Sequence, residues 1–454
     1  MNITKINKAY LIGIGGIGMS AIARYLMSKG IVVEGYDRVA SSLTDQLSKE
    51  GIKICFTDEV NSLPAWAMEA SENVLFVYTP AINHDHKQLS FIRNFGGLVY
   101  KRSEVLGLLT KESFTIGIAG THGKTTTASM LAHILTESRY GCSAFLGGIA
   151  TNYSSNVILN SDSETMVVEA DEFDRSFLSL FPDVAVVTSM DADHLDIYGK
   201  KENLDESFHL FIGQIKTAGK LIRKAELNID QGITYSIISK ADYQAKDIQI
   251  VDGEYLFTVK YPKGVVENVT VGLPGGHNIE NAMAAFAVAA ELGVDTSRIV
   301  DALASFKGVK RRFEYHIKSS ELIYIDDYAH HPEELKACIR SVKELYPGKK
   351  ITGIFQPHLF SRTRDFADGF AESLSELNEV ILLEIYPARE MPIEGVTSKM
   401  LLNKISGTNK FLLDKKEVIE SLKDRELEVL LTLGAGDIDQ LVEPIKAELE
   451  VLNL

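Results

Sequence analysis

Short apolar runs recur along the chain and alternate with longer stretches whose apolar positions return every three or four residues. Ala9–Ile14, Ile31–Tyr36, Val74–Tyr78, Phe114–Ala119, Thr165–Glu169, Val184–Ser189, Leu322–Ile325, Ile351–Phe355, Val380–Ile385 and Val429–Leu433 read as buried strands, with patterned helices between many of them. Alternation of this kind predicts an α/β fold built on parallel sheets. Ligands of such sheets sit at the carboxyl ends of strands, so the residues just after each run carry the candidate chemistry.

Two runs open directly into a glycine-rich turn, one near Gly13 and one near Gly120. One nucleotide-type domain rarely needs two phosphate loops, so the turns are assigned to separate domains with a boundary near 108. A third block with its own strand–helix alternation begins after GVKRRF, giving expected domains 1–108, 109–308 and 309–454. The length of 454 residues, at roughly 150 residues per domain, gives the same count.

Lys+Arg number 47 and Asp+Glu 62, a formal net charge of −15. No global positive field would draw in a polyanion, which argues against nucleic-acid partners and leaves room for a local anion pocket. Cys55, Cys142 and Cys338 form neither a disulfide framework nor a metal-ligand spacing, which fits a reducing compartment. No run approaches the ~18 apolar residues a membrane span needs, and the apolar N-terminal run is broken by glycines. The expected location is cytoplasmic, with no membrane partner.

The first turn, LIGIGGIGMSAIARYL, reads strand, tight turn, helix, with Gly13, Gly15 and Gly18 in G-x-G-x-x-G spacing and Gly16 in addition. Glycines there let the backbone approach a diphosphate at a helix N-terminus. Asp37 ends the next strand, where an acid that holds a ribose would sit. The loop reports a diphosphate without distinguishing a dinucleotide from a nucleotide-sugar.

The second turn, FTIGIAGTHGKTTTASMLAHIL, resembles a P-loop, although Ile118 stands where the standard motif has glycine. Backbone N–H groups of Gly120, Thr121, His122 and Gly123 would cradle phosphates, Lys124 would reach the β/γ-phosphates, and Thr125 would bind Mg²⁺. Glu169, closing an apolar strand, and His194, among Asp191, Asp193 and Asp196, are the expected metal partners.

Nine segments then occur in order: GTHGKTTT, EADEFDRSF, DADHLDIYG, GGHNIENAMAA, GVKRRFE, DDYAHHPEE, FQPHLFSRTRDF, EIYPAREMPIEGV and LGAGDID. Together they resemble the Mur ligase family, from about residue 9 to about residue 440. The resemblance implies a Rossmann-like UDP-sugar domain, a central P-loop ATPase-type domain and a Rossmann-like C-terminal domain that helps bind ATP and the amino acid. It implies ATP and Mg²⁺ as cofactors, and UDP-N-acetylmuramate and L-alanine as substrates joined through an acyl phosphate. Oligomeric state is left between monomer and homodimer.

The same resemblance implies roles for single residues. Lys124, Glu169, His194, His330 and Arg362 would serve catalysis, with Thr125, Glu169 and His194 on Mg²⁺. Gly120–Thr126, including Thr126, with His277, Asn278, Asn281, Arg311 and Asp327, would bind ATP. Gly15, Gly16, Ile17, Gly18 and Asp37 would hold the UDP-sugar, and Tyr328, His330, His358 and Arg362 would shape the amino-acid end. Arg102 reads either as a substrate contact or as a surface residue.

Several relatives carry a carbamylated lysine soon after the DH motif, and Glu202–Gln214 contains no lysine, which matches the alanine-adding branch. A ligase that attaches a preformed tripeptide to the same sugar is the near alternative. An NAD-dependent dehydrogenase leaves the P-loop, Glu169 and His194 unexplained. A P-loop switch protein leaves the first glycine loop unexplained.

Overall fold

The computed structural model describes residues 5–69, 71–83, 85–191, 198–251, 254–388 and 390–452. Three sheets organise them. The first has the order β3-β2-β1-β4-β5, from β1 (Lys8–Ile12), β2 (Val32–Tyr36), β3 (Lys53–Cys55), β4 (Val74–Tyr78) and β5 (Val99–Lys101). All of its neighbours are parallel. The order reverses between β1 and β4, and the first glycine turn follows β1 at that switch point.

The second sheet has the order β15-β14-β13-β12-β11-β10-β6-β9-β7-β8. Its strands are β6 (Phe114–Ala119), β7 (Ser143–Ala150), β8 (Ser155–Ile158), β9 (Thr165–Ala170), β10 (Val184–Val187), β11 (Lys220–Lys224), β12 (Ile233–Ser236), β13 (Tyr243–Val251), β14 (Glu254–Tyr261) and β15 (Gly264–Thr270). β6 lies between β9 and β10, parallel to both, so its carboxyl end is flanked by the ends of two strands rich in polar residues just beyond them. β7 and β8 form an antiparallel pair at the edge.

The third sheet has the order β16-β17-β21-β18-β19-β20, from β16 (Glu314–Lys318), β17 (Ile323–Asp327), β18 (Ile351–Phe355), β19 (Glu379–Leu382), β20 (Asn409–Leu412) and β21 (Val429–Leu433). Only the edge strand β16 pairs antiparallel among these neighbours.

All ten apolar runs read from the sequence fall on strands. They are interior strands covered on both faces, which demands uninterrupted apolar residues. The strands outside those runs are short, as β3 and β5 are, or half-solvated, as β13 (YQAKDIQIV) is beyond Ala245.

The described residues divide into two compact units. One comprises Met1–Asp247, Phe257–Thr270 and Glu280–Lys307, and the other Ile248–Leu256, Val271–Ile279 and Gly308–Leu454. The first unit holds the first sheet together with most of the second. One apolar core runs through both, from Leu11, Ile22 and Leu26 to Val168, Phe208 and Phe211. Phe177 stacks on Phe211 at 5.2 Å and meets Phe208 edge-on at 5.4 Å. Each such ring buries on the order of 150–250 Å², and this one anchors the segment that follows β9.

Candidate active site

The P-loop begins where β6 ends. Gly120 has φ +140°, and a Cβ there would lie 2.0 Å from Thr188 Oγ1. Gly123 has φ +80°, with Asn281 Oδ1 2.4 Å from a Cβ position. Only glycine meets both demands, left-handed backbone and contact with a neighbour. The loop is braced from β10: His122 N–H donates to Ser189 Oγ at 2.7 Å, and Thr188 Oγ1 donates to Ala119 O at 3.1 Å. The helix Lys124–Glu137 follows with no side-chain cap, so its first N–H groups point into the loop.

Lys124 donates from Nζ to Gly120 O at 2.7 Å and to both oxygens of Glu172 at 2.7 and 2.9 Å. Glu172 is wholly buried. Burial alone would lower the lysine pKa, but Glu172, then Asp171 and Glu169, more than offset it and hold the group as ammonium, well above its usual range. The Phe177 anchor and a hydrogen bond from Tyr198 OH to Glu172 O at 2.6 Å fix the carboxylate's segment.

Thr125 Oγ1 donates to Glu169 Oε1 at 2.9 Å, and Gly147 N–H donates to Glu169 Oε2 at 2.8 Å. A Cβ on Gly147 would stand 2.2 Å from that carboxylate. Hydroxyl and carboxylate thus meet at the mouth of the P-loop, an all-oxygen pair of the kind a hard divalent cation takes. His194 lies outside the described residues. Thr126 is buried within the first turn of the same helix, and Asn281 Oδ1 accepts from Thr127 Oγ1 at 3.2 Å.

At the first glycine turn, Gly15 N–H donates to Asp37 Oδ2 at 2.7 Å. The carboxylate expected at a ribose therefore also clamps the loop itself. Gly16 is the N-cap of the helix Ile17–Ser28 and has no side-chain partner there. The Arg102 guanidinium lies over Gly18, with Nη1 2.7 Å from where a Cβ would stand. That places a cation beside the diphosphate-type loop.

In the second unit, Asp327 ends β17 and accepts from Phe313 N–H and Ala329 N–H, each at 2.7 Å. Burial pushes its carboxyl up to about 7 despite those two donors. Arg311 has φ +62° and is clamped. Its N–H donates to Glu314 Oε2 at 2.7 Å, its Nε to Asp326 Oδ2 at 3.0 Å and its Nη2 to Gly434 O at 2.7 Å. Its guanidinium carbon lies 5.3 Å from the Tyr328 ring.

His330 and His331 diverge. His331 caps the helix Pro332–Leu345 and packs on Phe366 at 4.7 Å. His330 Nδ1 lies 3.0 Å from Tyr328 O and 3.2 Å from Glu334 Oε2, two acceptors that make Nδ1 the protonated nitrogen. The His330 ring stands 6.1 Å from His358, which stacks on Tyr386 at 5.7 Å. Arg362 lies on the helix Phe360–Asp365, whose Ser361 N–H and Oγ are held by the Glu390 carboxylate. His277 is driven down to about 4, by burial first and then by Arg312, and is neutral at physiological pH. Asn278 Nδ2 donates to Pro274 O at 2.6 Å, so it shapes the start of the helix Gly276–Glu291.

The structure thus brings Gly15–Gly18 and Asp37 together, Gly120–Thr126 and Glu169 together, and Arg311, Asp327, Tyr328, His330 and His358 into one group of their own. Sequence reasoning missed the partnership of Glu172 with Lys124, the contact of Gly147 with Glu169, and the bracing by Thr188 and Ser189. A third carboxylate, after Glu169 and Asp171 and two residues past the end of β9, was the one available signal for Glu172.

Comparison with known proteins places these sites in a family. Residues 8–114 match the "Mur ligase family, catalytic domain", 118–289 the "Mur ligase middle domain" and 311–437 the "Mur ligase, glutamate ligase domain". The UDP-N-acetylmuramate–L-alanine ligase of Christiangramia forsetii is 49% identical over 448 residues, covering 99% of each chain. That of Porphyromonas gingivalis is 50% identical over 456 residues, covering 98% of this chain and all of its own. The crystal structure of the Thermotoga maritima UDP-N-acetylmuramate–alanine ligase superposes with a TM-score of 0.83 at 27% identity, over 98% of this chain and 99% of that one.

Proposed function

The chain belongs to the Mur ligase family, and on that premise we propose that it joins L-alanine to the lactyl carboxylate of UDP-N-acetylmuramate at the expense of ATP, in peptidoglycan precursor synthesis. The products are UDP-N-acetylmuramoyl-L-alanine, ADP and phosphate. The observation that carries the reading is the presence, in one compact unit, of a diphosphate-type glycine loop and a P-loop whose lysine and threonine each meet a carboxylate. The similarity to L-alanine ligases over nearly the whole chain supports it.

ATP supplies the phosphoryl group that converts the lactyl carboxylate, a poor acyl donor, into an acyl phosphate open to the alanine amine. Every step concentrates negative charge, so the protein's part is positioning and electrostatic stabilisation. Lys124, held cationic and aimed by Glu172, would pass to the β/γ-phosphates. Thr125 and Glu169, with His194, would hold Mg²⁺, and the oxygen pair at the P-loop mouth fits that ion. His277, Asn278, Asn281, Arg311 and Asp327 would bind ATP, with neutral His277 able to donate from one ring nitrogen and accept at the other.

Gly15, Gly16, Ile17, Gly18 and Asp37 would hold the UDP moiety, with Arg102 adding charge. Tyr328, His330, His358 and Arg362 would orient the amino acid and the acyl phosphate. Domain boundaries near 108 and 308 belong to this reading, each between two sheets. So does a cytoplasmic location, where UDP-sugars and ATP meet; no helix among the described residues is long and apolar enough to cross a membrane.

The test is phosphate release from Mg·ATP with UDP-N-acetylmuramate, in the presence of L-alanine or of the preformed tripeptide. Release that requires both the sugar nucleotide and L-alanine is expected. Release with the tripeptide only would assign the chain to the recycling reaction, and no release with either acceptor would end the ligase reading.

A further inference from the structure

The edge hairpin of the second sheet touches the helix that follows the first glycine loop and the Glu169 carboxylate beside the P-loop. Asn156, on β8, is 1% exposed. Its Nδ2 donates to Ile17 O at 2.5 Å and reaches Ser20 Oγ at 3.4 Å, and its Oδ1 accepts from Arg24 Nη1 at 3.0 Å. Arg24 is itself held by Glu50, with Nε 2.8 Å from Oε2 and Nη2 2.9 Å from Oε1. Ile17 directly follows Gly16 and opens the helix behind the diphosphate-type loop, so its carbonyl moves with that loop.

The other arm of the hairpin reaches Glu169, which holds Thr125 of the P-loop. On β7, Phe145 pairs with Val157 and packs its ring 5.3 Å from Tyr25, on the same helix as Ile17 and Arg24. The register of β7 and β8 breaks between Phe145 and Ala150. Gly147 lies inside that break and gives its N–H to Glu169, whose other oxygen holds Thr125. Directional bonds therefore tie each arm of the hairpin to one loop, Asn156 to Ile17 and Gly147 through Glu169 to Thr125, and the hairpin's own backbone joins the two arms.

We propose that Asn156 is a positioning residue that couples the two loops, so that occupation of the UDP-sugar loop aligns Glu169 for Mg·ATP and the reverse. The inference rests on the assignment of the two loops given above. An apolar contact would join the two sheets as firmly, since replacing a buried hydrogen-bonded pair by matched apolar groups is nearly neutral. It would not transmit a displacement of the Ile17 carbonyl. Coupling between sites is reciprocal and is typically about 5–150-fold in affinity.

The experiment is calorimetry on the full chain. The Kd of UDP-N-acetylmuramate is measured alone and with saturating Mg²⁺ plus the β,γ-methylene analogue of ATP. Wild type is expected to bind the sugar nucleotide at least about fivefold more tightly with the analogue present. In Asn156→Ala that ratio falls to about one, while the Kd of the analogue measured alone stays within about twofold of wild type. Asn156→Asp keeps the acceptor for Arg24 and loses the donor to Ile17, so it gives the same collapse and carries the test should the alanine variant not fold.

A purely structural role would lower the melting temperature or weaken both ligands and leave the ratio alone. An unchanged ratio in a folded variant, or no coupling in wild type, overturns the inference. Wild type that fails to bind UDP-N-acetylmuramate at all removes the functional assignment and the inference together.

Discussion

Lys124→Met tests the P-loop at its most buried point. The substitution removes the cation from a pair whose other member, Glu172, has no exposed side-chain surface. Removing one partner of a buried pair costs about 3–5 kcal/mol, because the remaining buried charge loses the ammonium that offsets its desolvation. In a unit of this size roughly 2 °C accompanies each kcal/mol, so the first unit should melt about 6–10 °C lower. Lys124→Met/Glu172→Leu removes both charges and should recover most of the loss, since apolar replacement of a whole buried pair is often neutral.

The deficit has a definite pH dependence. Burial is the largest influence on Glu172 and raises its pKa; in Lys124→Met the opposing lysine is gone. A folded pKa above the unfolded one means the penalty is full at pH above the folded value. It shrinks as the carboxyl takes up a proton on the way down to the unfolded value. Scanning calorimetry at pH 8 and pH 5 should therefore show the larger deficit at pH 8. Turnover should fall by on the order of 10²–10³ or more in both variants, because neither has the lysine. UDP-sugar affinity measured without nucleotide should stay near wild type. A double variant as unstable as the single one, or a deficit independent of pH, would refute the buried-pair account.

Three further outcomes follow from the geometry. Gly147→Ala drives a methyl into the Glu169 carboxylate, 2.2 Å away, and should raise the Mg²⁺ concentration for half-maximal activity about tenfold or more, about 1.4 kcal/mol; an unchanged Mg²⁺ titration would contradict it. Gly123→Ala must hold φ +80° against Asn281, a backbone cost of roughly 1–2 kcal/mol before the clash, so titration with an ATP analogue should show at least tenfold weaker binding and unaltered UDP-sugar binding. Asp327, raised by burial to about 7, binds its proton more readily folded than unfolded. Its contribution to stability therefore falls as pH rises from about 4 to about 7 and then levels off. Melting of wild type relative to Asp327→Asn should worsen across that window, and a constant difference would show that Asp327 is already ionised.

The loops were legible because their chemistry is local. A glycine that must adopt a left-handed backbone, a lysine at the first position of a helix and a carboxylate ending an apolar strand each announce themselves within a few residues. Asp37 was legible as an acid at a strand end, but its bond to the amide of Gly15 was not, since that depends on β1 and β2 lying side by side in register. Glu172 follows Asp171 in a polar stretch whose sequence carries no sign of burial. It is buried because Phe177, five residues on, inserts between Phe208 and Phe211.

The sequence by itself determined the interior strands, the two phosphate loops and the family, because buried parallel strands need unbroken apolar runs and phosphate loops need fixed residue types at fixed spacing. Tertiary structure alone decided that the first two sheets share one core, that Lys124 meets Glu172, and that Asn156 reaches Ile17 from far along the chain. Periodicity reports which face of an element is buried. It carries no record of which other element covers that face, and sheet order, which brings distant segments together, settles that only when the chain folds.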